Sequence, residues 1–147
     1  MLNVLHILPR VTRGGGTRSP RNIVRHLQGA GFSRHAFVSL EPASEEVAAW
    51  LRGEGHAVHN APNDAELATL CARADIVQVD WWSTPAMTRF LTLPLPPARY
   101  LLYAHVTGDY PPHVITPELA GWGHRFVSCT PASAGIAGLE SALCIHS

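Results

Sequence analysis

The chain of 147 residues, 46% of them hydrophobic, suits one domain able to bury its own core and leaves no room for a second. Its eleven basic residues, all arginine, balance eleven acids, which excludes a global field drawing it to nucleic acid or an anionic membrane. The absence of lysine excludes Schiff-base chemistry and a P-loop.

Asn3 to Leu8 (NVLHIL) is a short apolar run before Pro9, the pattern of a strand buried on both faces. Val4 to Leu8 is too short for the core of a signal peptide, and no run reaches the ~20 residues of a membrane span. His6, inside this strand, reads as a core residue. Gly14, Gly15 and Gly16 follow, then a helix with Ser19 as N-cap, Pro20 at its first position, and Ile23, Val24 and Leu27 on one face. His35 to Leu40 reads as a strand, and Ser44 to Arg52 as a helix with Val47, Ala48 and Leu51 inward. His56 to Asn60 is a short strand, and Asp64 caps a helix ending near Arg73. Asp75 to Asp80 is a strand, Pro85 to Leu93 a helix and Arg99 to His105 a strand. His124 to Thr130 makes the sixth strand, with Thr130 and Pro131 opening a further helix. Cys71, Cys129 and Cys144 are far apart without C-x-x-C spacing, so neither a disulfide framework nor a zinc site is expected, and the chain reads as reduced and cytoplasmic. The alternation predicts an α/β fold with a doubly wound parallel sheet of about six strands, Rossmann-like, over residues 1–147.

In such a sheet, ligands lie beyond the carboxyl ends of the strands. The residues there are Gly14 to Gly16 after the first strand, Asp80, Trp81 and Trp82 after the fourth, and His105 with Gly108 and Asp109 after the fifth. A glycine turn entering a helix suits an anion, flanked here by Arg13 and Arg18, or is simply a turn without a ligand. The dinucleotide fingerprint fails, because its third glycine position is Ser19. Of two adjacent tryptophans, one is expected to be exposed, for stacking on a ring or for packing. Asp80 binds a hydroxyl, acts as a base or caps the following helix. His105 either bonds a ligand hydroxyl or phosphate, or is satisfied by its own backbone surroundings. His113, His124 and His146 lack metal-like spacing, and no metal or cofactor is expected.

Four stretches carry a resemblance: HILPRVTRGGGTRS, ADIVQVDWW, LLYAHVTGDYPPHVI and RFVSCTPAS. In this order they resemble the N-terminal domain of family 4-like retaining glycosyltransferases of GT-B fold, from about Leu2 to Ala134. The resemblance implies two Rossmann-like domains across a cleft, the first binding mainly the sugar or glycolipid acceptor and the second the nucleotide-sugar donor. It implies that the backbone of Gly15 and Gly16 approaches the donor diphosphate or the acceptor. It makes His105 the catalytic residue that contacts the transferred sugar, by positioning and electrostatic support. The paired glutamates of the family's donor domain are expected in a second domain, and the chain stops at Ser147. A C-terminal donor-binding domain or subunit is therefore the expected partner, and the chain by itself is expected to transfer no sugar. Its end, GIAGLESALCIHS, reads as a helix cut short. The other reading is a non-enzymatic Rossmann-like module that binds a nucleotide or sugar.

Overall fold

The computed structural model describes residues 1–145; His146, whose spacing was considered above, lies outside them. Seven strands form one sheet in the order β3-β2-β1-β4-β5-β6-β7, and each neighbouring pair is parallel. They are β1 (Leu2–Leu8), β2 (Ser33–Ser39), β3 (Ala57–Asn60), β4 (Ile76–Trp81), β5 (Tyr100–Ala104), β6 (Arg125–Ser128) and β7 (Leu143–Cys144). Between them run α1 (Gly15–Gln28), α2 (Glu45–Gly53), α3 (Asp64–Arg73), α4 (Pro85–Leu91) and α5 (Pro117–Ala120). This is a Rossmann-like α/β fold.

Two cores cover the sheet's two faces. Leu5, Ile7, Val77, Val79, Leu102 and Ala104 pack with Leu67 and Cys71 of α3 and Met87 and Phe90 of α4. Residues one position along the strands point the other way. There Leu8 and Phe37 pack with Val24 of α1 and with Val47 and Leu51 of α2. Burying both faces explains why the strands read as continuous apolar runs rather than as alternating ones.

Four expectations are corrected. First, α1 begins at Gly15 with Gly14 as N-cap, so Pro20 lies inside the helix rather than opening it, and Ser19 caps nothing. The start is pinned when the Thr17 hydroxyl accepts the Thr12 N–H at 3.0 Å. The buried stripe then becomes Thr17, Pro20, Arg21 and Val24, while Leu27 is exposed. Second, Asn63 and not Asp64 caps α3. Its side chain accepts the Glu66 N–H at 2.9 Å, and the Glu66 carboxylate accepts the Asn63 N–H at 2.8 Å, a reciprocal capping box. Third, Pro131 opens only a short 3-10 turn, Pro131–Gly135. Fourth, the segment after it is not a severed helix but leads into a seventh strand, since Leu143–Cys144 pairs with Val127 and Ser128 of β6. Gly138, with φ at +90°, breaks the intervening backbone.

Candidate functional site

The strand order reverses between β1 and β4, and this is the switch point where an open parallel sheet leaves a crevice at its carboxyl edge. The glycine turn leaves β1 on one side, and Trp82 leaves β4 on the other. They touch. A Cβ on Gly16 would lie 2.9 Å from Trp82 Nε1, so the indole takes the space that any larger residue would fill. Trp82 in turn stacks on the His105 ring, with centroids 5.9 Å apart and planes 4° from parallel, and meets the edge of His113 at 5.8 Å. The indole N–H is shielded and has no hydrogen-bond partner among the described residues, a donor left over at the glycine turn.

A buried polar chain lies behind His105. Asp80 is fully buried; its Oδ1 accepts from His105 Nε2 and from Gln78 Nε2, both at 2.9 Å, and its Oδ2 faces His6 Nδ1 at 3.4 Å. His6 Nε2 lies 3.0 Å from His35 Nδ1, and His35 Nε2 lies 2.8 Å from the Ser33 hydroxyl. One assignment of protons satisfies these links. Ser33 donates to His35, His35 to His6, and both His6 and His105 donate to the Asp80 carboxylate. His105 then carries its lone pair on Nδ1, which has no protein partner among the described residues.

Burial pushes the Asp80 carboxyl up, but hydrogen bonds from His105 and His6, with their charge interactions, outweigh it and hold the group below its ordinary value. The site therefore contains a fixed carboxylate that orients a histidine. Burial, followed by the neighbouring His6 and His56, lowers His35 to about 4, so the far end of the chain stays neutral.

The structure brings Gly16, Asp80, Trp82 and His105 together and separates the other candidates. Trp81 points to the opposite face and is 5% exposed in the large core. Trp82 is only partly exposed. Neither tryptophan is the open platform expected, because strand pairing turns one into the core and the glycine turn covers the other. Asp80 is enclosed by its donors, and the cap of α4 is Thr84, whose hydroxyl accepts the Met87 N–H at 3.2 Å. Gly14 and Gly15 are exposed at the helix start. Gly108 adopts φ of +87° against Ile115, while exposed Asp109 accepts a hydrogen bond from Thr107 in its own loop.

His6, His35 and Gln78 belong to the chain and were not among the expected site residues. A histidine inside an apolar strand was the available signal for His6. Nothing local marks His35 or Gln78.

Compared with models of known protein families, with curated proteins and with solved structures, the chain matches none. No helix among the described residues is long and apolar enough to cross a membrane, and they include no group of three or more potential ligands placed to hold a metal ion.

Two alanine substitutions separate the roles of the glycines. A Cβ at Gly15 meets nothing within 4 Å, so Gly15→Ala is expected to be neutral or to stabilise by about 0.5–1 kcal/mol. Gly16→Ala drives a methyl into the Trp82 indole and is expected to cost about 1–3 kcal/mol. Urea midpoints of the two variants check this, and equal midpoints would refute the contact.

Proposed function

We propose that this domain is the acceptor-side half of a retaining, family 4-like glycosyltransferase. A C-terminal donor-binding domain or subunit completes the cleft and brings the nucleotide-sugar. The observation that carries the reading is the continuous contact from Gly16 through Trp82 to His105 at the switch point of a parallel sheet. It supports a site in which helix N–H groups and one oriented imidazole share a ligand surface.

In this reading Asp80 holds the Nε2–H of His105, and Trp82 and Tyr103 hold the ring, the latter with centroids 4.4 Å apart. Only an edge of the imidazole is open, with 3% of the side chain exposed. That edge suits accepting a hydrogen bond from a sugar hydroxyl, and not nucleophilic attack. His105 is then a positioning and electrostatic group whose geometry is set before the substrate arrives. One wall does not exclude water from a reacting glycosyl group, so turnover needs the second domain.

The test pairs the chain with a C-terminal donor-binding domain and measures sugar transfer from a panel of nucleotide-sugars to sugar and glycolipid acceptors. Turnover is expected only for the pair. His105→Gln, which keeps an N–H for Asp80 but lacks the imidazole, is expected to lower kcat by about 10- to 100-fold with a similar melting temperature. Unchanged turnover in that variant would remove His105 from the mechanism. Ligand binding without transfer in any pairing would favour the binding-module reading.

A further inference from the structure

A second concave surface lies between α1 and α2. It encloses about 770 Å³, within the range of small-molecule sites, and its walls include Arg13, Arg18, Arg21, Arg25, Glu46 and Trp50. Arg18, Arg21 and Arg25 are spaced to share one face of α1. Neither Trp82 nor His105 lines it.

The overall neutrality of the chain conceals this surface. The first forty residues contain six arginines and no acid, the first acid being Glu41. Among the described residues, only two carboxylates answer the four guanidinium groups. Glu46 pairs with Arg13, and both side chains are largely exposed, so water weakens that pair to a small interaction. Glu54 is taken by Arg21, whose Nε donates to it at 2.8 Å, and stands 3.8 Å from Arg25 Nε. Arg18 has no carboxylate partner among the described residues. The first turn of α1 also has no acid, so the positive end of its dipole, beside Gly14 in the same wall, is uncompensated.

Arg21 has a different task. It is 8% exposed and bonded to both carboxylate oxygens of Glu54, and its guanidinium lies 3.6 Å over the Trp50 ring. It holds the indole in place. Trp50 remains 51% exposed, which leaves a flat apolar surface at the edge of a basic hollow.

We infer that this cavity binds a phosphate or diphosphate ester bearing a ring or apolar group. Arg18, Arg25 and Arg13 hold the anion, and Trp50 lies against the remainder. The surplus of two positive charges matches a dianion, and guanidinium forks match phosphate oxygens in pairs. A strand of nucleic acid would require a longer basic track than one helix face provides. The cavity shares the start of α1, including Gly14, with the surface proposed for sugar transfer, but it uses neither Trp82 nor His105.

Calorimetric titration with inorganic pyrophosphate and with uridine diphosphate, beside cosedimentation with phosphatidylglycerol and phosphatidylcholine vesicles, tests it and separates a soluble ligand from a lipid headgroup. Binding to at least one phosphate probe over the neutral vesicles is expected, and it should weaken as salt rises. The double variant Arg18→Gln, Arg25→Gln, with both positions exposed, should melt like the parent and bind at least about tenfold more weakly, roughly 1.4 kcal/mol. Trp50→Ala should weaken uridine diphosphate or vesicle binding more than pyrophosphate binding. Pyrophosphate binding assigns a soluble ligand, and binding to anionic vesicles alone assigns a headgroup. No binding to any phosphate probe, or equal binding by the double variant, would overturn the inference.

Discussion

Asp80→Ala is expected to destabilise the domain by about 3–5 kcal/mol, because it removes the one fully buried acceptor shared by three donors. The carboxylate has no exposed surface and receives Gln78, His105 and His6 at 2.9, 2.9 and 3.4 Å. Without it, His105 Nε2, His6 Nδ1 and the Gln78 amide lose the acceptor they share, and the removed side chain leaves a cavity. A loss of this size is a large share of the stability of an ordinary domain. It should lower the melting temperature by about 10 °C or more. Asp80→Asn keeps the volume but replaces one accepting oxygen by an NH2 group facing at least one donor, and should recover only part of the loss. A melting temperature within about 2 °C of the parent for Asp80→Ala would show that the chain of polar groups contributes little.

Mild acid should unfold the protein earlier than carboxylate protonation alone would. Burial lowers His35 to about 4 and also lowers His56 and His59. A histidine depressed in the folded state takes its proton more readily when unfolded, at an ordinary value near 6.5. Its stabilisation is complete above about pH 6.5 and drains away as the pH falls toward 4. His35 alone corresponds to about 3 kcal/mol across that window. Asp80 adds the same sign at lower pH, since its depressed carboxyl stabilises the fold above the unfolded value and loses that contribution as pH falls through the folded one. Urea midpoints between pH 7.5 and 4.5 should therefore drop steadily. His35→Phe should have a lower midpoint at pH 7.5 but a shallower fall. A flat profile from pH 6.5 to 4.5 would contradict the neutral burial of these histidines.

The proposed anion cavity shows how composition misleads. Equal totals of basic and acidic residues gave no sign of a charged partner, yet every acid lies beyond residue 40. The order of charges along the chain held the information that the sum erased. Folding α2 against α1 then set Glu46 and Glu54 opposite part of that basic run and left the rest unanswered.

Local pattern by itself determined the class of fold. Short apolar runs such as Val4 to Leu8 and Ile76 to Val79, separated by capped amphipathic stretches, leave a parallel sheet with helices on both faces as the economical way to cover them. The strand ends were also legible, and with them the neighbourhoods of Gly16, Trp82 and His105, because a parallel sheet puts its carboxyl ends on one side. Tertiary structure alone decided what happens there. Only strand order places β1 beside β4, and only register sets His6 opposite Gln78 and Phe37, from which His6 reaches Asp80 and His35. The same pairing sent Trp81 into the core and enclosed Asp80, which sequence reading had left free to meet a ligand. Even the start of α1 depended on a contact, the Thr12 N–H bonded to Thr17, which favours a helix from Gly15 over the Ser-Pro start that local propensity predicts. Propensity and periodicity act over a few residues, whereas burial, pairing and hydrogen-bond partners come from residues up to 74 positions away.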